Sequence, residues 1–379
     1  MKRPLDSPSD GGPGPLKVAA AGAASVSALA AGRLSAAEPS QKLTAAFEKL
    51  PQKAIEDGRQ ICKELLAGGP AVVRELIGLV GDEFGDPAGV KPKYALHGLV
   101  MYASRPKADD ERKMVAETLA AELKPDRSPE LQAFLARQLQ WCGRAEEVPA
   151  IARLLGDERL CEPATQALLA IGGKEAAAAL RGALGGAQGR RRVTIVKALG
   201  RLRDRQSAPA ARKAAGDANH DLRLVALYAL GNIGDGKGID IVLDAADVKG
   251  RFERSQAVDA SLLLGRRLAA EGDTKGAERI CRHFLTTRTA PEDVHDRCAA
   301  LHDLAMSAGA KAVDDVMAAL NSKELKYLVP AARTAVKLAR LIRKDHEAEA
   351  HRLLKEVLKA TGEKAVLQEA ETLLGKAGA

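Results

Sequence analysis

The sequence predicts an all-α chain, an α-solenoid of stacked antiparallel helical hairpins, and three observations carry that expectation. Its composition favours helix formers, with aromatics at only 3% and β-branched and aromatic strand formers scarce. Gly 35 and Pro 17 are enough punctuation for many short helices. The third observation is internal repetition. After residue 130, apolar columns recur at a spacing near thirty residues.

The repeat is sharpest over 131–247. One column reads Leu139, Leu168, Leu199, Leu230, and three residues on another reads Cys142, Ile171, Leu202, Ile233. A second pair follows, Val148/Ala177/Ala208/Ile239 and Ile151/Leu180/Ala211/Val242. Steps of three and four place each pair on one stripe of a helix. Gly143, Gly172-Gly173, Arg203-Asp204 and Gly234-Asp235 separate the two stripes, and Gly156-Asp157, Gly185-Gly186 and Gly216-Asp217 close the units. Each unit is thus a hairpin with one apolar face, which only stacking can bury. The pattern continues in looser register on both sides, giving about eight hairpins over 41–379. Residues 329–379 read as capping helices.

Residues 1–40 differ in kind. Met1 to Pro15 is rich in Pro, Gly, Ser and Asp, a composition that does not pack. Lys17 then precedes the apolar run Val18–Ala31 and the small residues Ser35-Ala36-Ala37. Two expectations stand side by side: a disordered leader on a cytoplasmic chain, or a secretory signal cleaved after Ala37. No other stretch has the length of uninterrupted apolar sequence that a membrane span needs. Cys62, Cys142, Cys161, Cys281 and Cys298 match no disulfide framework or zinc ribbon, so buried thiols are expected.

The residues Leu222-Arg223-Leu224-Val225-Ala226-Leu227-Tyr228-Ala229-Leu230-Gly231-Asn232-Ile233-Gly234 resemble the first helix of the HEAT-repeat proteins, in the short-repeat form first noted in phycobilisome lyases. The resemblance implies an α-solenoid whose second helices line a partner-binding face. It implies no lyase activity, because function is not carried by fold.

Chemistry-bearing patterns are sparse. A single His-Glu pair, His346-Glu347, does not match the repeated pairs of helical-repeat di-iron enzymes, and His346 and His351 miss the zincin spacing. Gly234-Asp235-Gly236-Lys237-Gly238 lacks the strand and the GK[ST] ending of a phosphate loop and reads as a turn. His295, Cys298 and His302, with Cys281 and His283 on the preceding helix, have zinc-ligand chemistry, yet the outer pair spans about 10 Å. The expectation is no metal, no cofactor and no catalytic residue. A HEAT-like DNA glycosylase is disfavoured because Trp141 stands alone in its column.

Charge is the remaining signal. The chain has net charge +8, and residues 181–230 hold an equal excess, eleven Arg and Lys against Asp204, Asp217 and Asp221. Such a field favours an anionic partner. The candidate binding residues are Arg153, Arg181, Arg190, Arg191, Arg192, Lys197, Arg201, Arg212 and Lys213. Arg153, Arg181 and Arg212 lie off the apolar stripe of their second helices and are expected to form a short solvent-facing ladder. The expected function is a protein-interaction scaffold without enzymatic activity. A phosphate-contacting nucleic-acid binder and a lyase- or chaperone-type accessory protein stand as alternatives.

Overall fold

The computed structural model describes residues 39–50, 54–82 and 87–375, and over them the only regular secondary structure is helical. The leader, its apolar run and the expected cleavage site lie outside the described residues.

After a short helix α1 (Gln41–Glu48), hairpins follow in order: α2 (Ile55–Leu66) with α3 (Gly69–Val80), α4 (Val90–Ala103) with α5 (Asp109–Ala121), α6 (Pro129–Cys142) with α7 (Val148–Ala152), and α8 (Cys161–Ile171) with α9 (Gly173–Leu184). The next are α10 (Gly189–Arg201) with α11 (Ala208–Ala215), α12 (His220–Ile233) with α13 (Ile239–Ala246), α14 (Arg251–Ala270) with α15 (Thr274–Thr287), and α16 (Val294–Ala308) with α17 (Val313–Leu320). The last pair is α18 (Leu325–Ile342) with α19 (Glu347–Ala360), followed by α20 (Lys364–Leu373). Nine hairpins are therefore present among the described residues, one more than the expected eight.

The sequence punctuation acts as anticipated. Ser128 and Asn219 cap α6 and α12 by accepting from the backbone N–H of Leu131 and Leu222. Gly234 ends α12 in the left-handed conformation. The glycine-rich stretch after it is a turn, with a 3₁₀ helix at Gly236–Gly238 leading into α13.

First helices from α2 to α20 pack side by side in one unbroken row. Two glycines bring their backbones close: a Cβ on Gly200 would lie 2.6 Å from the Ala229 Cα, and one on Gly231 would lie 2.6 Å from the Ala260 carbonyl oxygen. Second helices α11, α13 and α17 are only eight residues long and form a looser row. The buried side chains fall into two cores, one from Leu43 to Leu199 and one from Val196 to Ala370. The two meet at α10.

The C-terminal boundary differs from the expected 329. Helix α18 starts at Leu325 and holds Pro330 inside it, where the sequence suggests a helix start. Proline has no N–H to offer the Lys326 carbonyl four residues back. The Cys298 thiol approaches that carbonyl oxygen at 3.7 Å, a weak replacement for the missing bond.

A half-free basic groove on the first helices

Each predicted basic residue belongs to one of two groups. In the first, the side chain joins one repeat to the next. Arg181 on α9 pairs with Asp204, and Arg212 on α11 pairs with Asp235, 31 residues further in both members. Both acids sit in the turn after the following first helix and are nearly buried, with side chains 9% and 12% exposed. Arg192 begins a parallel series. Arg192, Arg223 and Arg254, again 31 apart, reach Asp217 at 2.9 Å, Glu253 at 2.8 Å and Asp293. Arg191 donates to the carbonyls of Leu155 and Gly186, both at 3.4 Å. Arg153 reaches the Leu123 carbonyl at 3.5 Å.

The expected second-helix ladder of Arg153, Arg181 and Arg212 therefore does not stand as a free cationic surface. For Arg181 and Arg212 the reason is a compensating acid one repeat away, while Arg153 stays exposed and reaches only a carbonyl. Aspartates in the turns satisfy guanidinium groups whose stems the helix already orients, and such bidentate-capable donors suit part-buried pairing.

The second group is free. Arg190, Lys197 and Arg201 on α10 are exposed, and among the described residues no hydrogen bond or ion pair engages them. All three line one groove of about 630 Å³ along α8, α10 and α12. Leu169, Val193 and Val225 give it an apolar floor, and Glu162 and Asp221 are among its other lining residues. Lys213, on α11, is exposed on the other row and does not join this groove.

A family model for HEAT repeats matches residues 189–261. Residues 189–261 are HEAT repeats. The HEAT segment thus spans α10 to the middle of α14, and it contains all three free cations of the groove. Its Gly200 and Gly231 are the positions where first helices touch backbone to backbone. Compared with curated proteins, the sequence matches none.

Among solved structures, three similar chains illustrate the comparison. An engineered protein is 17% identical, with 88% of this chain and 98% of that chain covered and a TM-score of 0.41. A chain from a structure concerning a phosphorylation switch in the cadherin and β-catenin interaction is 14% identical, covering 88% and 94%, with a TM-score of 0.38. A chain of the CpcE and CpcF complex of phycocyanin lyase from Nostoc sp. is 20% identical, covering 63% and 91%, with a TM-score of 0.31. None reaches a TM-score from which a shared arrangement can be argued, so the fold rests on the chain's own packing.

The zinc-like residues are dispersed. No group of three or more His, Cys, Asp or Glu among the described residues is placed to hold an ion. His283 pairs with Asp247 at 3.1 Å, Cys298 faces the Lys326 carbonyl, and His302 lines a small cavity with Cys281 and Asp303. Burial pushes the Cys281 thiol up to about 12 and lowers His302, which Lys337 lowers further.

Two features escaped the sequence reading. One is the Arg–acid series joining repeats, legible afterwards as the 31-residue spacing of Arg192, Arg223 and Arg254. The other is an apolar groove, also about 630 Å³, between α2 and α4. Its residues fit an ordinary buried stripe in sequence, so only packing reveals that Tyr94 and Met101 stay 52% and 42% exposed. Among the described residues no helix is long and apolar enough to cross a membrane.

Proposed function

We propose that the chain is a non-enzymatic protein-interaction scaffold that docks an anionic partner segment on its first-helix row, over α8, α10 and α12. One observation carries this reading: of the basic excess in 181–230, Arg190, Lys197 and Arg201 are exposed, unpaired and gathered on one groove. Arg181, Arg192, Arg205, Arg212 and Arg223 are already neutralised by carboxylates. A guanidinium without an internal partner is free for bidentate capture of a carboxylate. The apolar floor supplies the contact area that a purely ionic patch lacks. Phosphate backbones fit less well, because they offer no apolar side chain to Leu169, Val193 and Val225, whereas a peptide segment can.

The test is a titration of the full chain with a fluorescent Asp/Glu-rich peptide, duplex DNA and single-stranded DNA, each at low and moderate salt. Peptide binding that disappears in the Lys197→Glu, Arg201→Glu double variant is the expected result. DNA binding with a log–log salt slope of several units, and no peptide binding, would replace the reading with the nucleic-acid one.

A further inference from the structure

The first-helix row carries a second feature beside the basic groove. Between α2 and α4, Leu50, Ile55, Cys62, Tyr94, Met101 and Tyr102 line the open apolar groove. Gly58 and Gly98 leave its walls without side chains, and nothing lies within 4 Å of a Cβ built on Gly58. The aromatic surface continues onto α6: the Trp141 ring is 6.4 Å from His97, edge to face, and is 52% exposed. Trp141 occupies the same register position on α6 as Arg201 does on α10, so both face outward from the same row. One face therefore passes from apolar at α4, through Trp141, to cationic at α10.

From this juxtaposition we infer that the partner is an extended protein segment with an apolar anchor seated in the α2–α4 groove and an acidic run lying over α10. The inference rests on the scaffold reading above and names the partner that reading leaves open. Charge complementarity selects the acidic part, and Arg59, exposed at the rim of the apolar groove without a partner among the described residues, extends it to that end. The spacing follows from geometry. From α4 to α10 is three steps along the row, about 24–30 Å at ordinary helix spacing, which eight or nine extended residues span. A nucleic acid, charged at every residue, would place phosphates across the apolar groove, where a peptide places an apolar side chain.

Four peptides test this against the full chain: a Leu-Phe anchor and six Glu joined by nine residues, the same joined by three, the Glu run alone, and the anchor alone. A three-residue link reaches only about 10 Å, so with the anchor seated most of the Glu run lies short of α10. The expected result is that the nine-residue peptide binds about tenfold or more tightly than the Glu run alone, through effective concentration. The three-residue peptide gains a clearly smaller factor, because few of its Glu residues reach α10. Gly58→Leu fills the groove and improves helix propensity, so it leaves folding intact while removing the gain and keeping the affinity for the Glu run. Alkylation of Cys62, half-buried in the groove, slows at the lowest concentration with the nine-residue peptide and does not slow with the Glu run alone. Cys298, the other half-buried thiol, serves as the internal control.

Equal affinity for the nine-residue peptide and the Glu run, or unchanged Cys62 alkylation, overturns the bipartite partner and leaves the basic groove standing. Failure of the Glu run itself to bind at low salt removes the scaffold reading and the inference with it. Protection of Cys62 by single-stranded DNA instead of peptide assigns the face to base stacking.

Discussion

Arg203 shows how one residue departs from the repeat that contains it. The equivalent positions before the second helix are Gly172 and Gly234, at φ 69° and 77°, while Arg203 adopts φ 54°. A side chain at positive φ costs about 1 kcal/mol relative to glycine. Arg203 is exposed and holds no ion pair, so Arg203→Gly is expected to raise stability by about 0.5–1 kcal/mol, read as an increase in Tm. Asp217 gives a pH-dependent counterpart. The Asn219 backbone N–H, followed by Arg192, holds its carboxyl below the ordinary value of 3.8. A depressed carboxylate contributes stability that is complete above the unfolded value and is lost as pH falls through the folded one. Replacing Asp217 with Asn should therefore flatten the loss of stability below about pH 4 and lower Tm at pH 7. A denaturation series from pH 2 to 7 reads both.

At the scale of the element, the close row of first helices depends on two glycines one repeat apart. A methyl group at Gly231 would meet the Ala260 carbonyl, backbone that no rotamer change can move aside. Gly231→Ala is expected to destabilise the chain by about 1–3 kcal/mol, despite the better helix propensity of alanine. An equal or higher Tm would mean that α12 and α14 pack less closely than described. This Leu-Gly pattern was visible in the sequence, where it carried the family resemblance, and helix order and turns followed from the same periodicity. The boundary at Leu325 was not visible, because Pro330 reads as a helix start and only the fold shows Cys298 beside the carbonyl it leaves unpaired.

For the whole molecule, the basic segment was legible as a charge count but not as a site. Counting cannot tell Arg181, bound to an aspartate in the next repeat, from Arg201, bound to none of the described residues. The partners Asp235, Glu253 and Glu271 lie outside 181–230, so the local excess overstates the free charge. Pairing between repeats also spreads structural charge along the stack, and each repeat then contributes to holding its neighbour. The apolar groove at α2–α4 was hidden for a related reason: exposure on the row depends on how far adjacent hairpins stand apart, which no single helix encodes.

The central claim is that Arg181 and Arg212 of the second helices hold the stack while Arg190, Lys197 and Arg201 on α10 meet a partner. It is tested most directly by measuring Tm and acidic-peptide affinity together for two double variants, Arg181→Gln with Arg212→Gln and Lys197→Gln with Arg201→Gln. The first pair should lower Tm by several degrees by leaving Asp204 and Asp235 nearly buried and unpaired, with affinity little changed. The second should leave Tm in place and cut affinity about tenfold or more. The reverse pattern, a stable second-helix variant that no longer binds, would contradict the account and return the binding face to the second helices.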